Sequence, residues 1–430
     1  MDRDTMQHRV DSALARQPIT DMHTHCYPPG FGASPAPGGL LLWGIDELVT
    51  YHYLIAEVYR VVPAESGGRS NALDYETFWQ WSRAEQADHI WKHLFVDRTP
   101  ISEACRGVLT ALAKLGLDPN EKSLDPYRCW FAQQAPSEYI DRVMELSNVD
   151  SITMTNPVFD DRERQAWLKD PTIGDDPRFS AVLRIDPLLC DWPGAARKLC
   201  EWGYDVGEEF TKRTCDQVRR FLTDWLDRMK AIYVAVSLPP SFRYGESGDP
   251  FADRFIEACL TPVCADRGLP FAMMIGSRRG VNPALGDAGD MVGKADVQSV
   301  VRLCARFAKN KFLVTMLSSE NQHELCVAAR KFGNLMIFGC WWFVNNPSII
   351  DRITRERMEL LGTSFIAQHS DARILDQLLY KWDHSLKTIA KVLTDKYLDV
   401  AASGFNVTDA HIAHDVSLLL RENFREFLRR

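Results

Sequence analysis

The sequence predicts an α/β fold, a single (β/α)8 TIM barrel over residues 1–430 with a long helical insertion after its first strand. Three observations carry that expectation. Short apolar, β-branched runs alternate with amphipathic helical stretches, the pattern of a parallel sheet. Eight such runs are present, which favours closure of the sheet on itself. The chain has 430 residues, beyond the roughly 250 of a bare barrel, so insertions have room.

Taken in order, the first run is PITDMHTH (18–25). The Gly/Pro-rich YPPGFGASPAPGG (27–39) follows as a loop, where lids sit in barrels. From about 40 to 140 no strand is evident. LLLWGIDELVTYHYLIAEVYR and DYETFWQWSRAEQADHIWKHLF read there as amphipathic helices and are expected to form part of the active-site cover. Alternation then resumes with DSITMTNP (150–157), SAVLRIDP (180–187), IYVAVSLPP (232–240) and PFAMMIG (270–276). KFLVTML (311–317), NLMIFG (334–339) and TSFIAQHSD (363–371) complete the set. Helical segments such as CDQVRRFLTDWLDRMK and QHELCVAARKF lie between runs, and about 385–430 is expected to supply the eighth helix plus a tail.

Hydrophobic residues make up 46% of the chain and charged residues 25%, an ordinary globular balance that supports a large core. The net charge is −8 with both signs interspersed and no basic block. That argues against nucleic acid or an anionic membrane as partner. An anionic substrate would have to be captured by local arginines. The N-terminal MDRDTMQHRVDSALARQPITD lacks the apolar run of a secretory signal, and no stretch approaches 18 apolar residues. The 11 cysteines are odd in number, scattered and without a CxxC pair. Reduced thiols and a cytoplasmic location are therefore expected. Cys26 follows the first histidine pair but points away from its predecessor if the strand continues.

Barrel active sites lie at the carboxyl ends of the strands. The first run ends in His23-Thr24-His25. Side chains at i and i+2 share a face, so both imidazoles can converge on one divalent ion. Asp21 shares that face and is a candidate to orient an imidazole. The eighth run ends in His369-Ser370-Asp371-Ala372-Arg373 and neighbours the first when the barrel closes. Asp371 can then offer a carboxylate to the same metal, or it caps the next helix. The fourth, fifth and sixth runs contain no histidine, and the fourth no lysine. One metal with open coordination positions is the consistent reading. Arg184 and Arg373 are placed to capture a carboxylate, with Arg278 and Arg279 as further candidates. His52 and Tyr53 also fit the core face of an amphipathic helix. Of Trp341 and Trp342, one is expected in the core and the other in a pocket wall.

Together these motifs resemble the uronate (glucuronate) isomerase family of the amidohydrolase superfamily. They are His23-Thr24-His25, His52-Tyr53, Leu183-Arg184-Ile185-Asp186-Pro187, Met274-Ile275-Gly276 followed by Arg278 and Arg279, Trp341-Trp342-Phe343, and Ser370-Asp371-Ala372-Arg373. They occur in order from about residue 18 to beyond 390. The resemblance implies interconversion of D-glucuronate with D-fructuronate and of D-galacturonate with D-tagaturonate, by C2-to-C1 proton transfer through a cis-enediol. It implies His23, His25 and Asp371 as ligands of one divalent metal, zinc. It places Arg184, His52, Trp342 and Arg373 on the substrate, and Asp371, Tyr53, Arg373 and His52 in catalysis. A small uronic acid is the implied partner, with no nucleic acid or membrane, and a homo-oligomer is expected. Two departures stand out: Met274 occupies a strand position where many members carry histidine, and Thr155-Asn156-Pro157 stands where TDDP is frequent. The alternatives are a mononuclear metal-dependent hydrolase or decarboxylase acting on a small carboxylate, or a sugar-acid-binding protein without turnover.

Overall fold

The apolar runs form parallel strands in the computed structural model, which describes residues 2–34, 38–61, 74–245 and 250–430. The barrel strands are β1 (Ile19–Thr24), β2 (Val149–Met154), β3 (Leu183–Arg184), β4 (Val234–Leu238), β5 (Phe271–Ile275), β6 (Phe312–Met316) and β7 (Leu335–Ile337). β1 pairs with β2, and Asn156–Pro157, just beyond β2, pairs with β3. From there each strand pairs with the next through β7, always in parallel. The expected loop 27–39 contains a 3-10 turn, Pro29–Phe31, and its residues 35–37 lie outside the described residues.

The eighth run departs from expectation because it is not a regular strand. It touches β7 through one bridge, Phe338 to Ile366, with hydrogen bonds from Ile366 N to Ile337 O (3.1 Å) and from Gly339 N to Ile366 O (2.9 Å). It meets β1 through Asp371 N to His23 O (3.1 Å) and His25 N to Ala372 O (2.7 Å). The barrel thus closes, but without a ladder. The reason lies in the side chains: Gln368 Oε1 accepts from Cys340 N at 2.6 Å, taking an amide that a strand carbonyl would otherwise receive.

Strand alternation splits the apolar residues into two cores. Val234, Val236, Phe271, Met273, Phe312, Val314, Leu335 and Ile337 pack outward with the helices. Met22, Val182, Ala235, Ala272, Met274, Leu313, Met336 and Ile366 form the barrel interior, as the two-residue period demands. The expected tail is helical: Asn423–Arg429 contributes Phe424 and Phe427 to the interior cluster. These plug the amino-terminal end, where Phe424 lies beside Tyr233. The opposite end is left for chemistry.

Both long helices expected in the insertion are broken. The first divides around Thr50 and Tyr51 into Ile45–Val49 and His52–Val61, and the second at Trp81 and Ser82 into Tyr75–Gln80 and Arg83–Trp91. Ser82 forms a reciprocal capping box with Glu85, which fixes that second break. Further helices are Glu103–Lys114, Asp125–Phe131 and Pro136–Ser147. Glu103–Lys114 packs on the long helix Gln377–Ala402. All eleven cysteines are free, and no described helix is long and apolar enough to cross a membrane.

The contact between Glu103–Lys114 and Gln377–Ala402 depends on Gly107, where an added Cβ would lie 2.6 Å from Tyr380 Cε2. Alanine in a helix interior normally gains about 1 kcal/mol over glycine, whereas overpacking costs about 1–3 kcal/mol. Gly107→Ala is therefore expected to destabilise the protein by up to about 2 kcal/mol, read as a lowered urea midpoint with unchanged slope.

Candidate active site

His23 and His25 project from the end of β1 toward Asp371. Each Nε2 lies 3.4 Å from Asp371 Oδ1, and the potential ligand atoms of the three residues all lie within 4.8 Å of one another. The spacing is long for a charge-assisted hydrogen bond, which prefers about 2.7–2.9 Å. It equals the edge of a tetrahedron whose ligands stand about 2.1 Å from a central ion, about 3.4 Å. The donor set, two imidazoles and a carboxylate, suits a divalent metal. His23 Nδ1 lies 3.1 Å from Thr155 Oγ1. This gives the ring's other nitrogen a partner and leaves Nε2 for a ligand role.

Burial pushes His25 down to about 3, so the ring is neutral with a lone pair available. Burial also acts to raise Asp371, but His23 and His25 beside it more than reverse that and hold the carboxyl well below its usual range. Asp371 does not cap the helix that follows. That helix begins at Gln377, and its N-cap is Asp376.

Asp21 does not orient an imidazole either. Its buried carboxylate accepts from Ser370 N at 3.1 Å and from the Trp382 indole at 2.8 Å, tying β1 to the closing segment. Cys26 is buried outside the cluster, with Sγ 3.4 Å from Ala372 O. Asp371 has φ 50° and Trp342 φ 46°. The other two non-glycine residues with positive φ among those described, Asn148 and Lys230, are helix C-caps. Left-handed backbone at non-glycine residues costs about 1–3 kcal/mol and clusters at functional sites.

A narrow cavity of about 40 Å3 opens onto the cluster, lined also by Arg184, His52, Trp342 and Arg373. Asp186 holds Arg184 through two hydrogen bonds (2.9 and 2.6 Å), and Ser237 Oγ accepts at 3.1 Å. Arg373 pairs with Asp287 at 3.1 Å. Arg279 also lines the cavity and lies over the Trp342 ring, 5.4 Å from its centroid. Arg278 is exposed and does not line it. The Trp342 indole donates to His52 Nε2 at 3.0 Å. An indole is only a donor, so Nε2 accepts and the neutral ring carries its proton on Nδ1. Burial pushes His52 down to about 3, and Arg373 adds to the shift.

Tyr53 is not among the residues lining this cavity. It faces a neighbouring one on the far side of Trp342, which it shares with Tyr380, Lys381 and His384. Its hydroxyl is buried without a hydrogen-bond partner. Sequence reasoning missed Tyr51, Ser237 and Asp287, which line the main cavity. Tyr51 directly precedes His52, so the break in the insertion helix was its available signal. Asp287 sits in a 3-10 turn after β5 and had none.

A barrel closed at one end by its own helix, with a three-donor metal-type cluster and arginines at the other, defines the class: a (β/α)8 enzyme with a candidate metal centre. No protein-family model matches the chain, and no curated protein matches it. Among solved structures it is similar to a uronate isomerase from Bacillus halodurans C-125, with 51% identity, TM-score 0.94, and coverage of 100% of this chain and 97% of that one. The fold is shared with a uronate isomerase from Thermotoga maritima (14% identity, TM-score 0.78, covering 99% and 97%). It is shared too with a glucuronate isomerase from Caulobacter crescentus (15% identity, TM-score 0.69, covering 99% and 94%). The chain belongs to the uronate isomerase family.

Two outcomes are expected. Removing a cluster donor, as in Asp371→Ala, weakens metal binding by more than about 100-fold, and Thr155→Val by about 10–100-fold, the range for an outer-shell partner. Competition with a chromophoric chelator measures both. The second concerns pH. His52 is depressed to about 3 in the folded state against about 6.5 unfolded. The unfolded chain therefore binds the proton first, and stability falls as pH drops from about 6.5 toward 3. His52→Gln, which keeps an acceptor for Trp342, should lose less stability between pH 7 and 5 than the parent in urea titrations.

Proposed function

We propose that this protein is a uronate isomerase, an aldose–ketose isomerase that interconverts D-glucuronate with D-fructuronate and D-galacturonate with D-tagaturonate. The observation that carries the reading is one cavity in which oriented arginines and a His-His-Asp cluster face the same space. A sugar acid offers a matching pair of features: a carboxylate at one end and a carbonyl with its neighbouring hydroxyl at the other. One zinc ion at His23, His25 and Asp371 would polarise a substrate oxygen as a Lewis acid.

The remaining work falls to side chains. Arg184, pre-oriented by Asp186 and Ser237, binds the distal carboxylate, and His52 supplies its Nδ1–H. Trp342 walls the site and fixes the His52 tautomer. Arg373 leaves the exposed Asp287 to stabilise negative charge developing on the enediol oxygens. Asp371 is ionised at neutral pH; it takes the proton of the anomeric hydroxyl as the C1=O bond forms and returns it to the ring oxygen as the bond from C1 to that oxygen breaks. Burial pushes the Tyr53 phenol well above its ordinary value, and the charge of Arg373 works against that shift. The phenol therefore stays protonated, and it faces the neighbouring cavity; Asp371, which lines the cavity at the cluster, carries the proton from C2 to C1. The enzyme works in the cytoplasm, as a homo-oligomer, on a free sugar acid.

Purified protein of measured metal content, given each uronate in deuterium oxide and followed by NMR, should form the ketose with mass conserved and solvent deuterium at C1. Cleavage or loss of carbon dioxide would sink the assignment in favour of hydrolysis or decarboxylation. Arg184→Lys should lower kcat/KM about 10–100-fold, the equivalent of about 1.5–3 kcal/mol for a charged hydrogen bond, mostly through KM and with metal content unchanged.

A further inference from the structure

Beneath the cavity lies a buried cation that the proposed chemistry does not use. Lys381, on helix Gln377–Ala402, is only 4% exposed. Its ammonium donates to Ser370 O at 2.8 Å and to Asp371 O at 3.2 Å, and lies 5.9 Å from the centre of the Tyr51 ring. Amides of the same segment are held by other groups. Asp21 takes Ser370 N, His23 O takes Asp371 N, Ser370 Oγ takes Ala372 N, and Gln377 Oε1 takes Arg373 N.

The geometry of the two carbonyls is what matters. Ser370 O belongs to the peptide plane before Asp371 Cα, and Asp371 O to the plane after it. One ammonium that grips both planes restrains φ and ψ between them, and so sets the direction of the Asp371 Cα–Cβ bond from which the carboxylate projects. That backbone sits at φ 50°, a conformation that persists only where the surroundings over-determine it. The carboxylate it aims is the one 3.4 Å from both imidazoles.

We propose that Lys381 is a positioning residue for the metal site: it locks the left-handed backbone of Asp371 and so sets metal affinity without touching metal or substrate. This rests on reading His23, His25 and Asp371 as a metal centre. Lys381→Met keeps the stem and removes the donors, which makes it the informative substitution.

The probes are zinc(II) alone, in chelator competition, and cobalt(II) for its visible spectrum. If the unaltered protein binds no zinc, the metal reading itself fails. If it binds, Lys381→Met is expected to keep its far-UV circular dichroism yet hold zinc about 10–100-fold more weakly, with an altered cobalt spectrum. In an Asp371→Ala background the same substitution should change affinity less than about twofold, because its effect runs through Asp371. Lys381→Gln, which retains one donor, should fall between, and it decides by the same criteria if the methionine variant does not fold. Zinc affinity within about twofold of the parent, or a full loss still seen without Asp371, overturns the proposal.

Discussion

The site depends on one constraint: the barrel must close between β7 and β1, yet the closing segment cannot be a regular strand and also present Asp371. A buried backbone without a ladder leaves amides and carbonyls that must find other partners. Here side chains supply them. Gln368 takes the amide of Cys340, Asp21 that of Ser370, and Gln377 those of Arg373 and Ile374. Asp376, just downstream, accepts from Gly44 N at 2.9 Å and from the Tyr139 hydroxyl, binding the insertion to the same segment. Closing the barrel and building the cluster are thus one structural event, and the polar residues around 368–377 serve both.

The electrostatics follow from that arrangement. An acidic chain that takes an anion must concentrate positive charge locally, and bare arginines in a cavity would repel one another. Each is therefore balanced: Arg184 by Asp186, Arg279 by Asp290, Arg373 by Asp287. The balances differ in strength. The Arg184 pair is mostly shielded, with side-chain exposures of 14% and 26%, whereas Asp287 is 73% exposed. An exposed pair is worth little. On the proposed function, a substrate anion would exchange with Asp287 at Arg373 at small cost, while Arg184 keeps its orientation throughout. Neutral His25 and His52 add no competing positive charge beside the cluster.

Periodicity and motif order made much of this legible. Seven strands, the His23–His25 pair and the approach of Asp371 follow from alternation and from adjacency of the first and last runs. Arg184 and Arg373 follow from their positions at strand ends. What escaped was set by tertiary partners. The irregular eighth run reads as a strand because its apolar residues do alternate, Ile366 inward and Phe365 and Ala367 outward, and nothing local reveals that Gln368 will replace a ladder partner. Asp21 reads as an orienter of histidine because it shares their face. Its carboxylate instead satisfies Ser370 and Trp382, more than 340 residues away in sequence. The breaks at Tyr51 and Ser82 lie in sequence that keeps helical spacing through them.

Met274 shows how a departure from family pattern is absorbed. It pairs in register with Ser237 on β4 and Thr315 on β6, so the three share one level of the barrel. It belongs to the apolar interior and also lines the cavity. Thr315 is fully buried, and its hydroxyl has no partner. An imidazole at 274 would bring polar nitrogens to this level and, on the metal reading proposed for His23, His25 and Asp371, a fourth donor. Methionine does neither; it seals the interior with a flexible apolar chain and leaves one hydroxyl unpaired, a cost of about 1–3 kcal/mol. On that same reading, a site with three protein donors would derive its grip from the placement of those three. Of them, Asp371 is the donor whose backbone is strained and whose direction the surrounding hydrogen bonds hold.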